Sequence, residues 1–167
     1  MRRQKGFSLI ELLIVVAIIL IIAAIAIPNL QRAKMAANEA SAVAGMRTIF
    51  TAEAAYFAQG WSNPGALGYS ATLKDLGSSK GCNPPSLDSS CQLDNIMADA
   101  STAATAKSGY YYIYTPIPNG ILNVGFTLNA EPAARGNSGQ RSFFTDQSGV
   151  VHWNAAQSAT VSDATIQ

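Results

Sequence analysis

Glu11 is the residue of this chain that most needs a partner. It follows Phe7-Ser8-Leu9-Ile10 and precedes an unbroken apolar run of sixteen residues, Leu12 to Ile27. An unpaired carboxylate in lipid costs about 2.5–3.5 kcal/mol at a helix centre and less near its end, so it calls for a function or a counter-charge. Phe7 stands four residues earlier, one helical turn away, with Gly6 before it. A cut between Gly6 and Phe7 sets a new α-amino cation beside the Glu11 carboxylate. Those charges can neutralise one another in lipid, within one chain or between neighbours. The plainer alternative is a Glu11 side chain that snorkels to the headgroups.

Other chemistry-bearing residues are few. Cys82 and Cys91 are the only cysteines and His152 the only histidine. The cysteine spacing is not C-x-x-C and a single histidine cannot complete a Cys/His zinc site, so a disulfide fits best, worth roughly 2–3 kcal/mol in an extracytoplasmic domain. His152 lies in an expected strand beside Trp153, without a nucleophile, and reads as a surface or packing residue. Asp88, Asp94, Asn95 and Asp99 offer oxygen ligands, but not at EF-hand spacing, and read as solvated loop residues. No nucleophile elbow, P-loop or dinucleotide fingerprint occurs. No catalytic residue, metal site or cofactor is expected, and the chain reads as a non-enzyme.

The elements around these residues follow from hydropathy. Phe7 to Ile27 is 21 residues, which as a helix spans about 32 Å, enough for a hydrocarbon core of about 30 Å. Arg2, Arg3 and Lys5 before it favour a cytoplasmic N-terminus, a bias reduced by Arg32 and Lys34 beyond it. Two other readings compete. A cleaved secretory signal could use Ala24-Ile25-Ala26, but its apolar core would be too long and would contain a carboxylate. A signal anchor for an unrelated ectodomain explains length and charge but not Glu11. The 167 residues are 49% apolar and 13% charged with a formal net charge of +1, which excludes a strongly basic nucleic-acid binder and an acidic disordered tail. Without residues 1–27, 17 charges remain in 140 residues, while Ser, Thr, Asn and Gln supply 42. Such a surface loses little desolvation energy when it packs on copies of itself.

Gly6-Phe7-Ser8-Leu9-Ile10-Glu11-Leu12-Leu13, after a short basic leader and before an immediate apolar run, resembles the class III signal of type IV prepilins and type II secretion pseudopilins. Pro28 resembles the helix-kinking proline of many pilins. The resemblance is strong over residues 1–59 and architectural beyond. It implies that a prepilin peptidase/methyltransferase removes leader residues 1–6 and methylates the amine of Phe7. Glu11 is then the assembly residue, meeting the amine of an adjacent subunit. The implied partners are copies of the chain, that peptidase, an inner-membrane assembly platform and the lipid bilayer, with no specific nucleic acid. The implied location is the bacterial inner membrane, N-terminus cytoplasmic, and then a periplasmic or cell-surface filament. The implied function is a type IV pilus subunit for adhesion, twitching motility or DNA uptake; the alternative is a type II secretion pseudopilin driving protein export. Many pilins place their disulfide nearer the C-terminus than Cys82 and Cys91.

The expected fold is α+β, a long N-terminal helix on an antiparallel meander of about four strands. Residues 7–27 form the transmembrane and assembly helix and residues 28–59 its amphipathic continuation, a helix of about 80 Å in all. Leu30, Ala33, Ala37, Ala40 and Ala44 mark a first stripe; Val43, Met46, Phe50, Ala54 and Phe57 mark a second that could seat a sheet. Gly45 weakens the helix locally. Residues 60–108 are loop-rich, with short helices near Ala71–Leu76 and Leu93–Ala100. In the head, residues 109–167, strands are predicted at Tyr110–Thr115 and Ile121–Leu128 around a turn at Pro116–Gly120, with Leu122, Val124, Phe126 and Leu128 facing the helix. A second hairpin is predicted from Arg141–Thr145 and Val150–Trp153, followed by a mobile tail from Asn154.

Overall fold

A 51-residue helix, α1 (Leu9–Gln59), opens the computed structural model, which describes residues 6–60, 67–78 and 80–166. The leader cations Arg2, Arg3 and Lys5 lie outside the described residues, as do residues 61–66 and 79 of the loop-rich region. Two compact units divide between Lys34 and Met35.

In the first unit α1 is apolar on every side. The Leu, Ile and Val side chains from Leu9 to Ile27 are exposed around the whole helix, the composition that lipid requires and water penalises. Among the described residues α1 is the one helix long and apolar enough to cross a membrane. Pro28 lies inside it, where the ring removes the hydrogen bond to the carbonyl of Ala24.

In the second unit the rest of α1 packs on five antiparallel strands ordered as in the sequence: β1 (Tyr110–Asn119), β2 (Leu122–Pro132), β3 (Ser142–Asp146), β4 (His152–Asn154) and β5 (Ala164–Thr165). Ala42, Met46, Ile49, Ala52 and Tyr56 of the helix meet Tyr112, Phe126, Leu128 and Phe143 of the sheet in one core. The loop-rich region contributes Leu73 and Leu76 of a 3₁₀ turn and Met97 and Ala98 of α2 (Asn95–Ala98). Asp94 caps α2 by accepting the Met97 N–H at 2.9 Å. The backbone N–H of Tyr112 donates to Ala100 O at 2.7 Å, covering part of the outer edge of β1.

Several expectations need correction. The helix face on the sheet is wider than the predicted second stripe: Met46 of that stripe is buried and Val43 and Phe50 pack against the core, but Ala54 is exposed, and Glu39, Ala42, Gly45, Ile49, Ala52, Glu53 and Tyr56 are buried as well. The apolar pattern leaves out part of the face because two glutamates and a glycine belong to it. β1 continues through Pro116 and Pro118, and the turn is Gly120-Ile121, with Gly120 at φ +66° in the first central position. A bulge between Ile117 and Pro118 leaves Val124 without a pairing partner in β1. Inward alternation therefore starts at Phe126, and Val124 is exposed. The C-terminal residues are bound rather than mobile. β5 pairs with β4, Ile166 N donates to Val151 O at 2.8 Å, and Ala159 is buried where Asn129 Nδ2 reaches its carbonyl at 2.8 Å. The sheet thus has five strands where about four were expected, the fifth being the two-residue β5.

Gly45 is required by packing. A Cβ there would lie 2.1 Å from the Tyr112 hydroxyl, which donates to Ala42 O at 3.4 Å. Gly45→Ala gains about 1 kcal/mol of helix propensity, but overpacking against a buried tyrosine costs about 1–3 kcal/mol. Net destabilisation is expected in urea unfolding of the full chain in detergent micelles, and relief is expected when Gly45→Ala is combined with Tyr112→Phe.

Candidate functional site

The N-terminal candidates are brought together at the start of α1. Gly6 and Phe7 precede the first helical turn, both exposed, and nothing lies within 4 Å of where a Gly6 Cβ would stand. The backbone N–H of Ser8 donates to Glu11 Oε2 at 2.8 Å, and Ser8 O accepts the Leu12 N–H at 3.3 Å. Glu11 is thus the third helical residue, returning its carboxylate to the N-cap as in one half of a capping box. A negative charge in the first turn also favours the helix dipole. Sequence reasoning sought a charged partner for Glu11 and missed this one. The signal was present in Ser8-Leu9-Ile10-Glu11, an S-x-x-E string before an apolar run.

Two buried glutamates hold the second unit together. Glu39 Oε1 accepts the backbone N–H groups of Gln140 at 2.9 Å and Arg141 at 3.1 Å, and its Oε2 accepts Arg141 Nε at 2.7 Å. Burial alone would raise its pKa, but those N–H groups and the guanidinium outweigh burial and hold the carboxyl below its ordinary value. The same guanidinium lies 5.4 Å from the Trp153 ring centre and 5.6 Å from that of Phe143. Fully buried Glu53 accepts the Ser70 N–H at 3.1 Å and the Ser70 hydroxyl. Ser70 O in turn accepts from the Tyr114 hydroxyl at 3.0 Å and Asn123 Nδ2 at 2.9 Å. Here burial dominates the Ser70 bonds and pushes Glu53 above its ordinary value. Sequence reasoning missed both, because a glutamate on a helix reads as solvated until its partners, far along the chain, are known.

The remaining candidates are accounted for by local bonding. Cys82 and Cys91 form a disulfide with Cα atoms 5.8 Å apart. Asp88 pairs with Lys80 at 2.5 Å and Asp99 with Lys74 at 3.2 Å, while Asp94 joins its capping bond to a pair with Lys107 at 3.0 Å. Asn95 Oδ1 accepts from Ser78 N at 2.8 Å and Ser78 Oγ at 2.9 Å. Among the described residues no group of three or more His, Cys, Asp or Glu side chains could hold a metal ion. His152 Nδ1 donates to Asp163 O at 2.8 Å, tying the C-terminal segment to β4.

A long apolar helix followed by an antiparallel sheet makes this an α+β chain of pilin-like architecture. Residues 1–27 match the family described as the prokaryotic N-terminal methylation motif. The chain is 44% identical over 57 residues to the type IV major pilin protein PilA of Myxococcus xanthus, covering 34% of this chain and 26% of that one. It is 64% identical over 39 residues to the type IV wide pilus major component PilA4 of Thermus thermophilus, covering 23% of this chain and 30% of that one. The matched stretches therefore span less than a third of either relative. No solved structure matches. The methylation motif and these two likenesses make the N-terminal stretch of the chain similar to type IV pilins.

The two glutamates titrate in opposite senses. Stability supplied by Glu39 is present above the ordinary carboxylate value of 4.5 and is lost as pH falls through its lowered pKa. Glu53 stabilises most below 4.5, a contribution lost as pH rises through its raised pKa. Glu39→Gln is expected to cost about 1–3 kcal/mol at neutral pH and little in acid. Glu53→Gln is expected to stabilise the second unit at neutral pH. Denaturant unfolding of the full chain across the acid-to-neutral range reads both signs.

Proposed function

We propose that the chain is a structural subunit of a type IV pilus. A prepilin peptidase cuts between Gly6 and Phe7 and methylates Phe7, and the mature chain waits in the inner membrane with the apolar half of α1 as its anchor. The assembly platform then draws it into a helical filament serving adhesion, twitching motility or DNA uptake. The observation that carries the reading is the pairing of an exposed Gly6–Phe7 peptide with a carboxylate one turn into an otherwise apolar helix. The names of the two relatives, both major pilus components, support it. The role is structural and assigns no catalysis to the chain. Pro28 supplies the place where α1 can bend during packing.

Glu11 has two duties in this reading. In the single chain its carboxylate satisfies the Ser8 N–H. During assembly its charge meets the methylated amine of Phe7 on a neighbour, and low dielectric strengthens that attraction. The bond at Ser8 aims the carboxylate at the start of the helix and spares it an unpartnered state before assembly.

Two substitutions separate the duties. Glu11→Gln keeps an oxygen for Ser8 and removes the charge; Glu11→Ala removes both. The expected result is membrane insertion for both variants and a strong loss of sheared surface filaments for both. Wild-type filament yield from Glu11→Gln would leave capping as the whole role of Glu11. Immunogold labelling of filaments sheared from wild-type cells separates a surface pilus, which labels, from a secretion pseudopilus, which leaves them bare.

A further inference from the structure

Charge pairing among the described residues is lopsided. Every cation that follows α1 has a carboxylate partner: Lys74 with Asp99, Lys80 with Asp88, Lys107 with Asp94, Arg135 with Glu131 at 3.4 Å and Arg141 with Glu39. Arg32, Lys34 and Arg47 pair with none of the described residues, and all three are exposed on α1. The complementary deficit lies in the second unit. Asp75 Oδ2 accepts the Thr72 N–H at 2.8 Å, and Asp146 Oδ1 accepts the Ser148 N–H at 2.8 Å. The other oxygen of each is unengaged among the described residues. Asp163, by contrast, uses both oxygens on Asn154 and Thr160, and Glu53 is buried on Ser70.

We propose that Arg32, Lys34 and Arg47 of one copy pair with Asp75 and Asp146 of neighbouring copies, an inference that rests on the filament reading above. The unpaired cations and the unpaired carboxylates sit on different elements of one chain. Contacts between them are therefore heterologous, joining one surface of a copy to a different surface of the next. Repeated contacts of that kind that do not close produce an open helical assembly. Asp75 also borders an open cavity of about 140 Å³ with Tyr56, Tyr69, Leu87 and Ile121 among its walls. An arginine guanidinium, more weakly hydrated than an ammonium and able to stack on aromatic faces, suits such a setting. Anionic lipid headgroups are the competing ligand for Arg32 and Lys34. Arg47 stands twenty residues beyond Ile27 in the sequence, which favours a protein partner for the set.

The test uses the full-length chain in filament-forming cells. Arg32→Glu, Lys34→Glu and Arg47→Glu are combined; this strengthens the N-terminal orientation signal, since Arg32 and Lys34 are the flanking cations that oppose it. Each exposed pair is worth a few-fold, so the triple variant is expected to lower sheared filament yield about tenfold at unchanged membrane abundance. Adding Asp75→Lys and Asp146→Lys is expected to recover filaments. Formation of the Cys82–Cys91 disulfide reports that the second unit has folded.

If the lysine variants lose that disulfide, oxidative cross-linking decides instead. Filaments carrying Arg47→Cys with Asp75→Cys, or Arg47→Cys with Asp146→Cys, are expected to give an intermolecular ladder on non-reducing gels. Wild-type yield from the triple variant overturns the pairing, as does a ladder from neither cysteine pair. Loss of the triple variant from the membrane also overturns it and assigns the cations to lipid. Absence of filaments from wild-type cells counts against the filament reading itself.

Discussion

Glu39 joins three things that are distant in sequence: the middle of α1, the start of β3 and the aromatic surface of β4. Its two oxygens accept from Gln140, Arg141 and the Arg141 side chain, and that side chain covers Trp153 and Phe143. The sheet is thereby fixed on the helix at one end by a half-buried ion pair. Glu53, two hydrogen-bonding steps from Asn123 of β2, fixes it farther along. Between these points lies Gly45, where the Tyr112 hydroxyl approaches α1 closely. Partnered buried carboxylates contribute direction as much as energy: a purely apolar face could slide by a turn, whereas N–H donors fixed just before β3 accept one register.

The same helix meets a second demand with opposite chemistry. From Leu9 to Ile27 it has no polar face, and its single carboxylate is satisfied by the helix start. One element therefore passes from a composition suited to lipid to one suited to a protein core. The change falls near Pro28 and is complete by Glu39, the first buried residue of the helix. In the filament reading both halves are used in turn, the first as anchor and packing core, the second as the seat of the sheet.

How much of this was legible in the sequence depended on the range of the interactions. The apolar run, the Gly6–Phe7–Glu11 spacing and the β-rich character of Tyr110 to Leu128 are local patterns, and they were read. The face of α1 was legible only in part: Met46, Val43 and Phe50 follow the apolar pattern, but Glu39, Gly45 and Glu53 break it, and what makes them core residues is supplied by Gln140, Arg141, Tyr112 and Ser70 from elsewhere in the chain. Val124 was placed inside because a bulge, one residue of extra length in β2, reverses alternation without any mark in composition. The segment after Asn154 looked mobile from its small polar residues, yet backbone bonds to Val151 and the pairing of β4 with β5 hold it. The capping string at Ser8 was local and legible, and the search for a charged partner obscured it.

Low charge now has a sharper meaning. In the proposed processing, removal of Arg2, Arg3 and Lys5 would turn the formal +1 into −2, and among the described residues the cations without an internal partner are confined to α1. The account stands on processing that frees Phe7 beside Glu11, and the mass of the chain recovered from sheared surface filaments tests it most directly. The expected species lacks residues 1–6, begins at Phe7 and carries one added methyl group on its amine. An intact leader, or a chain beginning after Ala26, would contradict it.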